Sequence, residues 1–377
     1  MKVLILSKAC YAAAYRRKLE EIASLGVDLT LVAPPYWRSG GRKLPLEPGY
    51  DTGYRLVVMN PVLNGSFHLH FYPRLPALLR QVRPDIVHVE EEPYDLVTYH
   101  ACRAAQAAGS GTIFFTWQNI HRRYPPPFSF FQGQVLKDSL AGIAGSRDAA
   151  AVLRQKGFRR PLYVIPQFGI DPDLFPYREP DPVPTFTPER PFRIGFSGRL
   201  VEEKGLRPLL QAVKGMDGPW QLTFLGDGPF RPVLESEAAG LGIAARVAFL
   251  GSVPSDRVHD HLRSLDVVVN PSLTWERGKT RWKEQFGRSL VEAMACGVPV
   301  VGSDSGEIPH VIRDAGLIAP EGDAAALRQR LQSLMESADL RLRLARAGRE
   351  RVLAGYTQRR VAEQTFAVYR QLLGETP

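Results

Sequence analysis

The stretch WKEQFGRSLVEAMACGVPVV, which runs from Trp282 to Val301, holds two glutamates on either side of a predicted helix start. Small and apolar residues at helical spacing predict a helix over 288–296, and Gly297 ends it because glycine commonly follows a helix C-terminus. Gly287 therefore lies at the helix start. The unpaired amides there, together with the positive end of the helix dipole, form a binding site for a phosphate group.

The helix start also predicts a binding order for a larger ligand. The amides of Arg288, Ser289 and Leu290 face the phosphate, and Glu292, about one turn further on, is placed to accept two ribose hydroxyls. Glu284 precedes the helix and is placed beside the group that follows the phosphates. The alternative makes both glutamates ordinary solvated residues, but the helix is otherwise apolar, and a buried carboxylate needs a partner.

Two further segments carry candidate ligand-binding residues. In RIGFSGRLVEEKGL, Arg199 and Lys204 follow a predicted strand, and two cations near a helix start suit a diphosphate without a metal ion. The alternative is a pair of surface cations. In FLGDGPF, Gly226 and Gly228 close a strand and permit close approach of a ligand, although such glycines also make plain turns and the GxGxxG fingerprint is incomplete.

Apolar runs of strand length alternate with helical segments along the whole chain. Examples are the predicted strands 2–6, 28–33 and 192–198, and several such runs are continuously apolar, as buried parallel strands are. The 377 residues suit two domains, at roughly 100–200 residues per domain. The sequence therefore predicts an α/β fold with parallel sheets in two domains.

The alternation breaks once, at 172–191, where seven prolines fall in twenty residues. Proline lacks an amide hydrogen and fixes φ, so this segment is predicted to be a stiff linker and neither a central strand nor a helix. The last segment, 357–373, is predicted to be an amphipathic helix whose apolar stripe needs a surface to pack on. The stripe consists of Val361, Thr365, Phe366, Tyr369, Leu372 and Leu373.

The net charge of +9 and the isoelectric point of about 9.5 indicate a basic protein. Clusters at 16–18, 122–123 and 159–160 suit an anionic membrane or an anionic acceptor; the alternative is a solvated basic surface. No nucleic-acid-binding motif accompanies the charge, so no nucleic-acid partner is expected.

The cysteines and the hydropathy indicate the compartment. Cys10, Cys102 and Cys296 are far apart without CxxC spacing, which argues against a disulfide framework and a structural zinc site. The N-terminus lacks the apolar core of a signal peptide, and no run approaches the ~18 apolar residues of a membrane span. We expect a cytoplasmic protein, with peripheral contact to the inner face of the membrane as an open possibility.

The chemistry-bearing segments together resemble a known family. Arg199 with Lys204–Gly205, then GDGP, then DVVVNPS, then Glu-x7-Glu ending in EAMACGVPVVGSDSGEIP is similar to the family 4 retaining glycosyltransferases of GT-B fold. The similarity in order and spacing covers roughly 192–320. It implies two Rossmann-like parallel-sheet domains facing a central cleft, and a nucleotide-diphosphate sugar bound mainly by the C-terminal domain.

The resemblance assigns domains and roles. It implies an N-terminal acceptor domain (1–171), the proline-rich linker (172–191), a donor domain (192–356) and a C-terminal helix (357–377) that packs back on the N-terminal domain. It implies that Arg199 and Lys204 contact the diphosphate, that Glu292 contacts the ribose, and that Glu284 with the Phe286–Gly287 backbone contacts the donor sugar. The family does not require a metal ion, so no cofactor is expected.

Two departures from the family concern the N-terminal half. The loop after the first strand, SKACYAAAYRRK, lacks the glycine pair that the family often carries. Where the family often has a histidine facing the donor sugar, this chain has Gln118–Asn119, with His121 slightly later, so both Gln118 and His121 remain catalytic candidates beside Glu284. The loop at 121–131, basic, aromatic and proline-rich, suits an acceptor, a membrane surface or a plain covering of the cleft. The acceptor candidates are Tyr11, Tyr15, Asn119, Arg122 and Tyr124.

The expected function is therefore that of a retaining, metal-independent glycosyltransferase. It takes a sugar from a UDP- or GDP-sugar and passes it to a glycan, lipid or small-molecule acceptor. Two alternatives stay open: a sugar-nucleotide epimerase of GT-B fold, which turns over donor without an acceptor, and a non-catalytic nucleotide-sugar-binding protein.

Overall fold

A computed structural model describes residues 1–181, 185–254, 257–277 and 280–375. The chain divides into two compact units, of which the first comprises Met1–Gly169 with Gln358–Pro377 and the second Ile170–Thr357. The proline-rich segment 172–191 falls in the second unit, and its residues 182–184 lie outside the described residues. Phe175 and Phe186 of this segment are buried there.

The first unit is built on a parallel sheet. Its strands are β1 (Lys2–Leu6), β2 (Asp28–Ala33), β3 (Tyr36–Ser39), β4 (Arg42–Pro45), β5 (Arg55–Val58), β6 (Ile86–Val89), β7 (Gly111–Thr116), β8 (Ala141–Ala144) and β9 (Leu162–Val164). Seven of them form a sheet in the order β5-β2-β1-β6-β7-β8-β9, with every neighbouring pair parallel. β3 and β4 form a separate antiparallel hairpin. The continuous apolar run of β1 is buried from Val3 onward, as expected for a strand covered on both faces.

Helices cover this sheet. They are α1 (Arg17–Ser24), α2 (Leu75–Val82), α3 (Leu96–Ala107), α4 (Phe128–Asp138) and α5 (Arg147–Gln155). Ser146 begins α5 by accepting a hydrogen bond from the amide of Ala149 at 3.1 Å, which satisfies one of the unpaired amides of the first turn. The glycine-free loop after β1 folds into two short 3-10 turns, Ala9–Tyr11 and Ala13–Tyr15.

The second unit repeats the plan. Its strands are β10 (Phe192–Ser197), β11 (Trp220–Leu225), β12 (Val247–Gly251), β13 (Val267–Asn270), β14 (Trp275–Arg277), β15 (Thr280–Trp282), β16 (Val300–Ser303) and β17 (Leu317–Ala319). The parallel sheet has the order β12-β11-β10-β13-β16-β17, and β14 pairs with β15 as an antiparallel hairpin. The helices are α6 (Leu206–Lys214), α7 (Arg231–Gly240), α8 (Val258–Leu262), α9 (Arg288–Ala295), α10 (Ile308–Ile312), α11 (Ala324–Glu336) and α12 (Ala338–Gly355).

The last helix, α13 (Gln358–Leu372), belongs to the first unit. Val361, Thr365 and Tyr369 of its apolar stripe are buried, and the helix packs along α1. The Tyr369 hydroxyl lies 2.8 Å from Nδ1 of His88 in β6, so a buried polar contact ties the helix to the sheet.

The predicted α/β class with two parallel sheets is confirmed. All three cysteines are buried free thiols. Within the described ranges, no helix combines the length and the apolarity needed to cross a bilayer.

Candidate functional site

A cavity of about 430 Å³ opens at the carboxyl ends of β10 and β13 in the second unit. The strand order reverses between these two strands, and ligands of open α/β sheets bind at such a switch point. The cavity brings together seven of the residues predicted from the sequence. The described lining residues are Ser197, Gly198, Arg199, Val201, Glu203, Lys204, Asn270, Trp282, Glu284, Gln285, Gly287, Arg288, Ser289 and Glu292.

Lys204 and Glu284 are paired inside this cavity. The Lys204 ammonium donates to Glu284 Oε2 at 2.5 Å, and the Ser272 hydroxyl donates to the same oxygen at 2.7 Å. The Lys204 ammonium also lies 4.7 Å from the ring centroid of Trp282, within cation–π range. Glu284 is 7% exposed, so its charge is compensated by close partners and little by water. The sequence predicted that Lys204 contacts the diphosphate and that Glu284 contacts the donor sugar. The structure places these two side chains against each other.

Glycines set the backbone around the pair. Gly205 ends the 3-10 turn of Lys204 at φ 68°, and a Cβ there would lie 2.9 Å from the carbonyl carbon of Pro271. Gly306 has φ 55°, and a Cβ there would lie 2.9 Å from the carbonyl carbon of Glu284 and nearer still to its oxygen. That oxygen also accepts the amide of Glu307 at 3.2 Å. Gly306 was not predicted as a site residue, although the glycine in SGEIP was the available signal.

Helix α9 begins at Arg288, as predicted, and places Arg288 and Ser289 on the cavity wall. The expectation of a free amide at Leu290 is wrong: this amide donates to the carbonyl oxygen of Gly287 at 2.9 Å, because the first turn tightens. The Leu290 side chain is fully buried in the core. Phe286 packs its ring against Tyr356, with the centroids 5.6 Å apart.

Glu292 has the partner that its apolar surroundings require. Its Oε1 accepts from Arg288 Nε at 2.8 Å, one helical turn away. Burial raises the pKa of Glu292, and the Arg288 guanidinium partly opposes that rise. The carboxylate lines the cavity and is therefore placed to accept hydrogen bonds from a ligand.

Gly226 and Gly228 affect the cavity indirectly, because their backbones pack closely against the loop that carries Arg199. A Cβ on Gly226 would lie 2.9 Å from the carbonyl carbon of Gly198, and one on Gly228 would lie 2.8 Å from that of Leu200. Neither glycine is among the described lining residues. Both are explained by the close packing that holds the loop carrying Arg199.

The two catalytic candidates of the first unit differ in their surroundings. Gln118 follows β7 and is 9% exposed, and its Oε1 accepts from the Lys156 ammonium at 2.8 Å. Burial lowers the pKa of Lys156 to about 8. His121, three residues later, is exposed. Gln118 is therefore held in a fixed position, whereas His121 is exposed.

The acceptor candidates fall into two groups of the first unit. Tyr124 stacks on Tyr94 with centroids 4.1 Å apart, and Asn119 and Arg122 precede it in the same loop. Tyr15 stacks instead on Phe168, at 4.0 Å.

The backbone of Tyr11 anchors the second group. Its carbonyl oxygen accepts the amide of Glu47 at 2.8 Å, and its side chain is half-buried. The loop after β1 is thereby held without the family's glycine pair.

Sequence reasoning missed an acidic cluster that follows β6. Glu90 pairs with Lys18, Glu91 pairs with Lys8, and both carboxylates are buried. Burial raises the pKa of Glu92 to about 7, while hydrogen bonds from the Thr116 hydroxyl and the Trp117 amide act in the opposite direction. The available signal was three consecutive glutamates directly after a buried strand.

Comparison with known proteins gives two family matches. Residues 178–351 match the model of the glycosyl transferases group 1, and residues 16–174 match that of glycosyltransferase family 4. The chain is 29% identical over 379 residues to phosphatidyl-myo-inositol mannosyltransferase of Mycobacterium leprae (strain TN), an alignment that covers 97% of this chain and 91% of the relative.

Other relatives match over a shorter region. The chain is 33% identical over 187 residues to 2-deoxystreptamine glucosyltransferase of Streptomyces kanamyceticus, which is 48% of this chain and 46% of that relative. The chain thus spans about half the length of several curated relatives it matches. Among solved structures, Anabaena Alr3699/HepE in complex with UDP aligns with a TM-score of 0.72 and 18% identity over 98% of this chain and all of the other, which identifies the GT-B fold.

Proposed function

We propose that this chain, which belongs to the group 1 glycosyltransferases of family 4 with a GT-B fold, moves a sugar from a UDP- or GDP-sugar to an acceptor, with retention and without a metal ion. The observation that carries the proposal is the Lys204–Glu284 pair in a cavity that also holds Arg199, Glu292 and the start of α9. Cations and helix amides suit a diphosphate, and carboxylates suit hydroxyl groups.

The proposed roles follow from these chemistries. Arg199, Lys204 and the start of α9 stabilise the negative charge that develops on the leaving diphosphate, which is the work that a metal ion does in other enzymes. Glu292 accepts the ribose hydroxyls, and Glu284 accepts hydroxyls of the donor sugar. Of the two first-unit candidates, Gln118, whose position is fixed, is favoured over the exposed His121 for the catalytic role.

In the proposed reaction, the acceptor oxygen attacks the anomeric carbon on the face from which the diphosphate departs. The bond between that carbon and the phosphate oxygen breaks, and the departing oxygen takes the acceptor proton. The new glycosidic bond therefore keeps the donor's configuration. No protein base is needed for this step.

We assign acceptor binding to the first unit. The acceptor itself is proposed only by class, as a glycan, a lipid-linked group or a small molecule. The name of one relative gives a phosphatidylinositol acceptor, and that of another gives 2-deoxystreptamine. These names support both a lipid and a small-molecule acceptor for this chain.

The test is thermal unfolding with UDP, GDP, ADP and dTDP, each with and without EDTA. A nucleotide at 100 times its dissociation constant adds about 2.7 kcal/mol to the free energy of unfolding. We expect one nucleotide to raise the melting temperature, with no effect of EDTA. Lys204→Met and Glu292→Gln should each remove that rise, while Lys214→Met, an exposed lysine of α6, should keep it. A full rise in Lys204→Met would show that the donor site is misassigned.

Incubation with the matching nucleotide sugar separates the alternatives. A transferase slowly releases nucleoside diphosphate even without an acceptor, an epimerase leaves a nucleotide sugar with a changed sugar, and a binding protein does neither. Chromatography of the nucleotides distinguishes the three products.

A further inference from the structure

A contact in the first unit joins an exposed imidazole to a buried carboxylate. His68 Nδ1 lies 2.7 Å from Asp95 Oδ1, and the His68 side chain is 54% exposed whereas that of Asp95 is 3% exposed. The His68 carbonyl oxygen also accepts the amide of Leu96 at 3.0 Å. The carboxylate and this backbone bond hold the imidazole in one orientation, in which Nε2 points away from Asp95.

Asp95 gives up another hydrogen bond for this contact. It occupies the N-cap position of α3, where an aspartate usually accepts a hydrogen bond from an amide of the first helical turn. Within the described part of the chain, its side chain makes no such bond and meets His68 instead. The hydrogen bond to Asp95 raises the pKa of His68, while partial burial of the ring acts in the opposite direction. The position of the histidine therefore takes precedence over the local preference of the helix start.

Aromatic rings flank the imidazole. The His68 ring centroid lies 5.6 Å from that of Tyr94 and 5.8 Å from that of Phe128. Tyr94 in turn stacks on Tyr124, with centroids 4.1 Å apart. Binding sites for small ligands combine aromatic side chains with a few fixed polar groups that orient the ligand. The His68 imidazole is such a polar group among aromatic side chains.

The pair lies at the edge of the sheet where ligands of α/β folds bind. His68, Asp95 and Tyr124 belong to the loops that follow β5, β6 and β7, at the carboxyl ends of these strands. Contacts also connect these loops to Gln118. The Lys156 ammonium lies 4.9 Å from the Tyr124 ring centroid and 2.8 Å from Gln118 Oε1. The His68–Asp95 pair and the catalytic candidate therefore share one edge of the first unit.

The charge around His68 favours a neutral ligand. Of the described charged groups, Lys8 and Glu92 act on the ring besides Asp95. The Lys8 ammonium is already paired with Glu91, so it leaves no excess positive charge to hold a phosphate. Nε2 accepts a hydrogen bond from a hydroxyl when the ring is neutral and donates one to a hydroxyl when the ring is protonated. A hydroxyl group therefore fits this environment better than a phosphate.

We propose that His68, held in place by Asp95, binds a hydroxyl of the acceptor, and that this hydroxyl belongs to a sugar or cyclitol ring. His68 contacts the acceptor, and Asp95 is a positioning residue that acts through His68. The inference rests on the proposed function, because it narrows the acceptor class. Its binding test does not require sugar transfer, so the two fail separately.

The experiment is a ligand-observed NMR titration of the full chain with methyl α-D-glucopyranoside and with myo-inositol, each alone and with UDP or GDP present. We expect at least one of these rings to bind. The ring that binds more tightly distinguishes a sugar acceptor from a cyclitol acceptor.

Two substitutions separate the nitrogen atoms of His68. In His68→Asn, the amide nitrogen takes the place of Nδ1, so the bond to Asp95 and the fold are kept while Nε2 is lost. Ring binding should weaken about tenfold, as for one lost hydrogen bond. In His68→Gln, an amide takes the place of Nε2, so part of this binding should return. His310→Asn changes an exposed histidine of α10 in the second unit and should bind as the wild type does.

Asp95→Asn tests the positioning role. The substitution removes the charge that raises the pKa of His68, so an NMR titration of the ring should show a lower pKa than in the wild type. Ring binding should weaken, by less than in His68→Asn. Combined with His68→Asn, it should cause no further loss, because Asp95 acts through the histidine. Denaturant unfolding checks that each variant is folded.

Binding of neither ring, or equal binding by the wild type and His68→Asn, would overturn the proposal. Additive losses in the double variant would overturn the positioning role of Asp95. Failure of the proposed donor site is a separate result: it abolishes the rise in melting temperature with nucleotide and leaves ring binding without nucleotide unchanged.

Discussion

Substituting alanine for Gly306 is expected to damage the proposed donor site, although Gly306 is not among the described residues that line the cavity. Gly306 has φ 55°, and a Cβ there overlaps the carbonyl group of Glu284. The left-handed backbone costs alanine about 1–2 kcal/mol, and the overlap adds about 1–3 kcal/mol of overpacking. Gly242→Ala is the matched control, since Gly242 has φ 73° and no atom within 4 Å of the added Cβ. Gly242→Ala should therefore lose only the stability that the left-handed backbone costs, about 1–2 kcal/mol.

The overlap has a functional consequence, because the clash between the added Cβ and the Glu284 carbonyl group is relieved only if the Glu284 backbone moves. Its carboxylate then leaves the position in which it meets Lys204. Displacing a positioning group by about 1 Å costs on the order of 100-fold in rate, so Gly306→Ala should lose about that factor in transfer, and Gly242→Ala none. Denaturant unfolding gives the stabilities and initial rates give the activity. Equal free energies of unfolding and equal rates in the two variants would show that Gly306 does not fix Glu284.

Two further predictions concern single side chains. Burial raises the pKa of Glu92 from 4.5 to about 7, so the folded protein binds more protons than the unfolded chain between these values. The free energy of unfolding should therefore fall as pH rises from about 4.5 to 7, by at most about 3.4 kcal/mol relative to Glu92→Gln. Equal pH slopes in denaturant titrations would contradict this. Trp282→Leu removes the ring beside the Lys204 ammonium and should weaken nucleoside diphosphate binding by about 0.5–2 kcal/mol in calorimetry, without affecting the nucleoside. Trp275→Leu, its cross-strand neighbour outside the described cavity lining, should bind normally; equal losses in both variants would indicate hairpin damage instead.

The parallel sheets could be predicted because their strands are continuously apolar. β1 and β2 have the predicted limits, and β10 ends one residue early, since the buried run itself marks a strand covered on both faces. The two hairpins were missed for the opposite reason. The segments of β3–β4 and β14–β15 mix charged, aromatic and small residues, so neither shows the alternation of a half-buried strand. Only the Gly40–Gly41 pair signalled the first turn.

The site was predictable as a set of residues but not as a set of contacts. Spacing placed Glu284 and Glu292 around the start of α9, and the cavity contains both. The Lys204–Glu284 pair spans 80 positions in sequence and depends on β10 and β13 lying side by side. The free Leu290 amide was wrongly expected because pattern alone does not show that the first turn of α9 tightens.

The partner of Lys204 determines what donor binding has to accomplish. The Lys204 ammonium is paired with Glu284, and it has three N–H donors, so in the proposed reaction it can meet a diphosphate oxygen while it still donates to that carboxylate. Glu284 also accepts the Ser272 hydroxyl at 2.7 Å, so this buried carboxylate does not depend on the ammonium alone. In the same proposal, the Glu284 carboxylate also accepts sugar hydroxyls. In the proposed reaction, recognition of the diphosphate is therefore coupled to recognition of the sugar, because Lys204 meets one group and its partner Glu284 meets the other.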